Sequence, residues 1–200
     1  MELDGVSNIP KIVTSDNYFI TFPVYKRLQT IAFGDKLSAE QMVALVALLQ
    51  QVHNKNIFHR DLRPENILLD GNNVVLIDWG YSVNGQTEGP AGTASFCAKE
   101  YALMWLKLHE LPDYYPQYDC ESLLKCFYYM KDVDLRTKLQ NISRFEITKR
   151  LELAIAVWES VNDDAFCTCL ENIRMTKEDV FMDDNEMYHA LLTYINNTHN

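Results

Sequence analysis

Glycine and proline are scarce in this sequence. Its 200 residues include 7 Gly and 6 Pro, while 48% of the residues are hydrophobic and 23% are charged. Disordered chains have few apolar residues and cannot bury enough surface to offset the entropy that folding costs. The composition therefore predicts a globular chain, and the length is that of one domain with a sizeable core.

The sequence also lacks a regular cysteine framework and a long apolar run. Its five cysteines are odd in number and irregularly spaced, which is a poor basis for disulfides and suits a reducing compartment. No apolar run approaches the roughly 18 residues that a membrane-spanning helix needs. The acidic start, Met1 to Asp4, is unlike a secretory signal. We therefore expect a cytoplasmic protein, with the nucleus as an alternative compartment.

Basic residues are outnumbered. The 18 Lys and Arg residues stand against 28 Asp and Glu residues, which gives a formal net charge of -10. A net negative field repels phosphate backbones and anionic lipids. The charge balance argues against nucleic acid or a membrane as the main partner.

Two short β-like runs open the chain, at residues 11–14 and 18–22, with a turn signal between them. A helix is predicted from Ser38, where Gln41 completes a capping-box spacing, and apolar residues recur at helical intervals through His53. Two further apolar runs, 66–69 and 74–77, flank the turn sequence Asp-Gly-Asn-Asn and predict a hairpin.

From Ala98 onward the chain has a mostly helical pattern, most clearly at residues 121–129, 147–158 and 186–195. The expected fold class is therefore α+β and predominantly α, with a small β element before a large helical body. We find no repeat or linker and expect a single domain over residues 1–200.

Three polar side chains bracket the predicted hairpin. Asp61 and Asn66 lie on the loop before it, and Asp78 follows its second strand. Carboxylate and amide oxygens of this kind suit Mg²⁺, which prefers one or two carboxylates together with substrate phosphates. A further carboxylate beside such an ion could orient a hydroxyl nucleophile and accept its proton.

Residues 59–69, His-Arg-Asp-Leu-Arg-Pro-Glu-Asn-Ile-Leu-Leu, resemble the catalytic loop of eukaryotic protein kinases. The resemblance implies that Asp61 is the catalytic base and that Asn66 and Asp78 bind Mg²⁺ and, with it, ATP. Arg63 replaces the lysine usually found two places after the catalytic Asp and is expected to share its catalytic role. Asp78-Trp79-Gly80 resembles the metal-binding Asp-Phe-Gly, with Trp in place of Phe.

Two later segments are similar to the same family. Residues 92–100 resemble the end of the activation segment, with Thr93 as the threonine that steadies the catalytic loop. Lys99 replaces the proline of Ala-Pro-Glu, so a loosened turn is expected there. Asp119 resembles the aspartate that braces the loop backbone, and Arg60 the arginine that meets a phosphate in regulated kinases. The eighteen residues between Glu100 and Asp119 predict an extended loop.

The resemblance also implies a kinase-like large lobe at residues 29–200, preceded at 9–28 by remnant small-lobe strands and a hinge. No Gly-x-Gly-x-x-Gly pattern occurs in the sequence, and Lys11 is the lysine that precedes the expected hinge. A kinase grips ATP with such a loop and a paired lysine. Two functions are therefore expected: a serine/threonine-type transferase, weak or inactive as this chain alone, or a pseudokinase that binds a kinase or its substrate.

Overall fold

The computed structural model describes residues 37–84, 89–107, 113–175 and 185–199, together with Val6, Ile9 and three two-residue strands before residue 37. These parts of the chain form seven α-helices and seven short strands. The helices are α1 (Ala39–His53), α2 (Lys99–Lys107), α3 (Pro116–Lys131), α4 (Val133–Ile142), α5 (Ile147–Glu159), α6 (Asp164–Met175) and α7 (Glu186–His199). The strands are β1 (Thr14–Ser15), β2 (Ile20–Thr21), β3 (Lys26–Arg27), β4 (Ile57–Phe58), β5 (Ile67–Asp70), β6 (Asn73–Leu76) and β7 (Val83–Asn84).

The strands form three small antiparallel sheets, ordered β1-β2, β3-β5-β6 and β4-β7. The predicted hairpin is confirmed as β5 and β6, in which Ile67 pairs with Leu76 and Asp70 with Asn73. Gly71 takes φ +59° in the turn, a backbone conformation that glycine adopts at little cost. The α+β, predominantly α fold class is confirmed.

The first strands differ in detail from the sequence pattern. β1 lies at Thr14–Ser15, so Ser15 belongs to a strand and not to the predicted turn, and β2 covers Ile20–Thr21. The remaining residues of the two predicted runs lie outside the described residues. β3 pairs with β5, a contact that the sequence pattern did not predict, and it joins the opening of the chain to the hairpin.

Helix α3 occupies the centre of the helical body. All thirteen consecutive residues from Tyr118 to Met130 are buried, including Asp119, Glu121 and Lys125. A helix buried on every side is expected in the core of a larger domain. The charged residues on it must therefore find partners inside the protein.

A helix stands where the sequence predicted an extended loop. Residues 99–107 form α2, because Tyr101 and Ala102 bury themselves against the core and tertiary packing outweighs the weak local pattern. Residues 108–112 of the predicted loop lie outside the described residues. None of the helices in the described ranges is long and apolar enough to cross a bilayer.

Helix α1 begins with the predicted capping box. The Ser38 hydroxyl accepts from the Gln41 backbone N–H, and the Gln41 side-chain oxygen Oε1 accepts from the Ser38 N–H. The Gln41 side chain also donates to the Asn72 carbonyl oxygen at 3.2 Å. The start of α1 is thereby attached to the turn of the β5-β6 hairpin.

We expect Ser38→Ala to lower the free energy of unfolding by about 1 kcal/mol, because an orphan amide of the first turn loses its acceptor. Urea unfolding followed by circular dichroism measures the change. Ser38→Asp, which retains a capping oxygen, is the matched control and should stay close to the parent protein. Equal losses in the two variants would contradict this account of the helix start.

Candidate active site

The β5-β6 hairpin brings two of the predicted site residues to one end. Asn66 directly precedes β5 and Asp78 follows β6 by two residues. The Ile77 backbone N–H donates to the Asn66 carbonyl oxygen at 2.9 Å, which continues the ladder past the last strand pair. Ile77 therefore faces Asn66 across the hairpin, and Asp78 is the next residue along the chain.

Asp61 is buried at 6% exposure and is held from two directions. The Asn66 amide donates to the Asp61 carbonyl oxygen at 2.8 Å and to its Oδ2 at 3.2 Å. The Thr93 hydroxyl donates to Asp61 Oδ1 at 2.7 Å. These contacts fix the carboxylate in one orientation, as a general base needs.

Arg63 is attached to the same group through Thr93. Its Nη1 donates to Thr93 Oγ1 at 3.0 Å, and its Nε donates to Glu65 Oε2 at 2.9 Å. The pair with Glu65 is open to solvent and adds little stability. The structure therefore joins Asp61, Arg63, Asn66 and Thr93 in one hydrogen-bonded group.

Asp78 lies at the rim of this group. Its backbone is left-handed, with φ 63° and ψ 62°, a conformation that is rare for residues other than glycine and often found at functional sites. The residue is exposed, while Trp79 next to it is half-buried and packs on His59 with ring centroids 4.6 Å apart. The Trp79 ring anchors the turn and leaves the Asp78 carboxylate open.

The oxygens available for a cation fit Mg²⁺. The Asn66 amide nitrogen donates to two oxygens of Asp61, so the amide oxygen of Asn66 is the atom left to act as a ligand. The exposed Asp78 carboxylate stands at the same end of the hairpin. In the ranges that the structure describes, no three His, Cys, Asp or Glu side chains form a metal cluster. A carboxylate and an amide suit an ion that takes its other ligands from phosphates and water.

Asp119 holds the backbone of the loop, as the sequence predicted. Its Oδ2 accepts from the His59 N–H at 2.7 Å and its Oδ1 from the Arg60 N–H at 3.0 Å. The Tyr114 hydroxyl donates to Oδ1 at 3.1 Å, and His53 Nε2 lies 3.1 Å from Oδ2. Burial alone would raise the pKa of this carboxyl, but the contacts with His53 and His59 lower it. Asp119 is thus held in its charged form.

Arg60 has different partners from those expected. Its guanidinium donates to the carbonyl oxygens of Tyr81 and Gly89 and, at 2.8 Å, to the Tyr101 hydroxyl. The side chain lies within 6.0 Å of the ring centres of Tyr101 and Tyr114 and is 8% exposed. Neutral acceptors and aromatic rings surround the Arg60 guanidinium in this structure, and its contact with a phosphate stays a prediction.

Lys99 also differs from its expectation of a loosened turn. Its backbone N–H donates to Glu121 Oε1 at 2.9 Å, and its ammonium pairs with Glu159. The hydrogen bond needs an N–H that proline does not have. Lysine in place of proline at position 99 therefore adds a hydrogen bond to Glu121 instead of loosening the turn.

Sequence reasoning missed His53, Tyr114 and Tyr188. His53 Nδ1 lies 2.7 Å from the Tyr188 hydroxyl, and its side chain is 3% exposed. A signal for His53 was present, because a polar residue on the buried stripe of α1 needs a partner. No comparable signal marked the two tyrosines: Tyr188 meets His53 from 135 positions away, and Tyr114 lies five residues before Asp119, in the segment predicted as an extended loop.

Comparison with known proteins identifies the family. The chain matches the protein kinase domain over residues 16–164, so it belongs to the protein kinase family. Aurora kinase of Saccharomyces cerevisiae is 40% identical over 68 residues, which cover 33% of this chain and 18% of that kinase. The gamma catalytic chain of phosphorylase b kinase (liver/testis isoform) of Bos taurus is 35% identical over 95 residues, which cover 40% of this chain and 23% of the relative.

A third relative, serine/threonine-protein kinase SCH9 of Saccharomyces cerevisiae, is 37% identical over 75 residues, which cover 36% of this chain and 9% of that kinase. The matches therefore span less than a quarter of the length of each of these three relatives. The domain is homologous to serine/threonine kinases, in agreement with the resemblance carried by residues 59–69.

Gly92 lets the Thr93 segment approach the loop closely. A Cβ on Gly92, which has φ +100°, would lie 2.3 Å from the Arg60 carbonyl oxygen. We expect Gly92→Ala to cost about 2 kcal/mol or more of unfolding free energy, since the contact must open and the backbone is strained. Gly71→Ala is the matched control, because Gly71 has φ +59° and open space around its Cβ position. A smaller loss for Gly92→Ala than for Gly71→Ala in urea unfolding would contradict the close approach.

His59 predicts a pH dependence of stability. Its Nε2 donates to the Ile77 carbonyl oxygen at 2.9 Å and its Nδ1 accepts from the Asp61 N–H at 3.2 Å, which requires a neutral ring. Burial lowers the pKa of His59 below its ordinary 6.5, although Asp119, Asp61 and Asp78 oppose the shift. The unfolded chain then binds the proton more readily, so stability should fall as pH drops below about 6.5, by up to about 1.4 kcal/mol per pH unit.

Unfolding free energies measured by urea titration between pH 7.5 and 5.5 test this dependence. The difference between the parent protein and His59→Gln should carry the slope, since the variant cannot titrate at this position. His189 is exposed, so His189→Gln should keep the parental slope. A parent curve that rises as pH falls, or a slope retained in His59→Gln, would contradict the buried neutral histidine.

Proposed function

We propose that this chain carries the Mg²⁺- and ATP-dependent phosphoryl-transfer machinery of a serine/threonine-type protein kinase, and that it transfers phosphate weakly or not at all as this chain alone. The observation that carries the proposal is the Asp61 carboxylate, held between the Thr93 hydroxyl at 2.7 Å and the Asn66 amide at 3.2 Å. A carboxylate oriented in this way can receive the proton of a protein hydroxyl. The acceptor is thus the Ser or Thr side chain of a protein substrate.

Each residue has a distinct part in this proposal. Asn66 and Asp78 would hold Mg²⁺ through oxygen atoms, which would place positive charge beside the phosphates of ATP. Arg63 lies on Thr93 beside Asp61, where its cation can offset negative charge that develops on the transferred group. Asp61 would orient the attacking hydroxyl and take its proton.

Weak activity is expected because the sequence lacks part of the groups with which a kinase holds ATP. Phosphoryl transfer depends almost wholly on positioning and charge stabilisation. The sequence carries no Gly-x-Gly-x-x-Gly loop, so the phosphate grip must come from elsewhere for transfer to be efficient. A small lobe supplied by another chain or by further sequence of the same protein would provide it.

A second candidate function is that of a pseudokinase that binds a kinase or its substrate. Two observations favour it: Trp79 and Lys99 replace the Phe and Pro of the kinase pattern, and each has its own packing or ion-pair partner in this fold. Such a protein would keep the fold and the protein-binding surface without transfer. Nucleotide binding separates the two functions.

A thermal-shift titration with Mg-ATP tests the proposal. At a hundredfold excess over Kd, binding adds about 2.7 kcal/mol to stability, which corresponds to a rise in Tm of about 5 to 10 °C for a chain of this size. We expect Asp78→Asn to abolish the Mg²⁺-dependent part of the shift, because the ion loses its carboxylate. Asp61→Asn should retain the shift and remove phosphoryl transfer.

Asp70→Asn is the matched control, since Asp70 lies at the opposite end of the same hairpin and should retain both binding and transfer. Transfer is measured with radiolabelled ATP and a Ser/Thr peptide. No shift with Mg-ATP in the parent protein would refute the transferase and leave the pseudokinase. Equal loss of folding in the Asp61 and Asp78 variants would refute the division of roles between them.

A further inference from the structure

The segment that follows Thr93 is held at every second residue. The Trp158 indole N–H donates to the Ser95 carbonyl oxygen at 2.7 Å, and the Lys125 ammonium donates to the Cys97 carbonyl oxygen. The Lys99 backbone N–H donates to Glu121 Oε1 at 2.9 Å. The first residue of this series, Thr93, donates to Asp61 itself. Four alternate residues thus join the candidate base to helices α3 and α5.

Two of these anchors come from an ion pair buried in α3. Lys125 Nζ lies 2.8 Å from Glu121 Oε1, and their side chains are 2% and 4% exposed. Arg174 of α6 adds a two-pronged contact with both Glu121 oxygens at 2.9 and 3.0 Å. Burial alone would raise the pKa of Glu121, but the neighbouring Lys125 and Arg174 lower it to about 2. The Glu121 carboxylate is therefore charged.

Stability alone is a weak reason for such a cluster. A buried ion pair often contributes no more than well-packed apolar residues of the same volume, because desolvation offsets the attraction. Here Lys125 donates to the Cys97 carbonyl oxygen, and Glu121 accepts from the Lys99 backbone N–H. Those contacts serve the geometry of the segment.

The residue at position 99 agrees with this role. The Glu121 carboxylate accepts from the Lys99 N–H, and a proline at that position would have no N–H to offer. Lys99 is also the first residue of α2, a position at which proline is otherwise well tolerated. The sequence thus has a donor where the kinase pattern has none, next to a buried carboxylate that uses it.

We propose that Glu121 and Lys125 are positioning residues for Asp61: by holding the main chain at Cys97 and Lys99, they keep the Thr93 hydroxyl on the Asp61 carboxylate. The functional meaning of this arrangement rests on the proposed phosphoryl transfer. The physical link from α3 to Asp61 does not, and it can be measured without any activity.

The first test uses a pair of substitutions at one position. Lys99→Pro removes the N–H that Glu121 accepts, whereas Lys99→Ala keeps it and removes only the ammonium. Hydrogen exchange followed by NMR reports the amides of Phe96 and Cys97, which both donate to the Thr93 carbonyl oxygen. We expect exchange at these amides to accelerate by about tenfold or more in Lys99→Pro and to remain parental in Lys99→Ala.

The second test addresses Lys125. In Lys125→Met, Glu121 keeps Arg174 as its partner, so the fold should survive. Lys131→Met is the matched control, because Lys131 lies on the same helix and pairs with Asp163 instead. The carboxyl carbon resonance of Asp61 is the readout, and Thr93→Val sets the value for a lost hydroxyl contact. We expect Lys125→Met to move the resonance toward that value and Lys131→Met to leave it in place.

The double variant Glu121→Met/Lys125→Met removes both charges together. Neither charge of the pair is then left buried without the other, so the variant should stay folded. It should unfold within a few degrees of the parent protein and still show faster exchange at Phe96 and a displaced Asp61 resonance. Parental exchange in Lys99→Pro, or an unmoved Asp61 resonance in both Lys125 variants, would overturn the proposal. If the chain transfers phosphate, these variants should lower kcat by about tenfold or more with an unchanged Kd for Mg-ATP. A chain that shows no thermal shift with Mg-ATP would refute the proposed function only.

Discussion

The buried Asp119 carboxylate is the contact on which the geometry of the loop at residues 59–66 depends. A charge with 0% exposure is costly unless donors surround it. Here two consecutive main-chain N–H groups, a tyrosine hydroxyl and a histidine supply them. In return the carboxylate fixes Arg60 in a left-handed conformation with φ 68°. That bend places Asp61 between Thr93 and Asn66 and lets Gly92 approach the Arg60 carbonyl oxygen.

Elements with local determinants were predictable from the sequence. The capping box of Ser38 and Gln41 set the start of α1, and the Asp-Gly-Asn-Asn turn set the β5-β6 hairpin. The order of Asp61, Asn66 and Asp78 around that hairpin followed directly. Helix α2 lies within the mostly helical range predicted from Ala98 onward, but its bounds were not predicted, because burial of Tyr101 and Ala102 stabilises it and no local pattern displays that burial.

Contacts between distant segments account for the rest of what was missed. The sequence shows that Arg60 is a cation, but its acceptors are carbonyl oxygens and a tyrosine hydroxyl brought in by tertiary folding. The same applies to Lys99, where a departure from the family pattern suggested a weaker turn and the structure has a hydrogen bond to Glu121. A substitution at a motif position has to be judged with the partner that it meets. The left-handed backbone of Asp78 was likewise invisible, since local sequence rarely specifies positive φ outside glycine.

The contact between His53 and Tyr188 has a consequence for how the protein folds. The two residues are 135 positions apart, and Tyr188 lies on α7, beyond the span that matches the kinase family. His53 in turn touches Asp119, so the last described helix borders the network that shapes the loop. Closing such long-range contacts costs chain entropy before the contacts themselves contribute any free energy. This order of events slows folding. The loop at residues 59–66 should therefore acquire its final shape late, in the same cooperative step that docks α7.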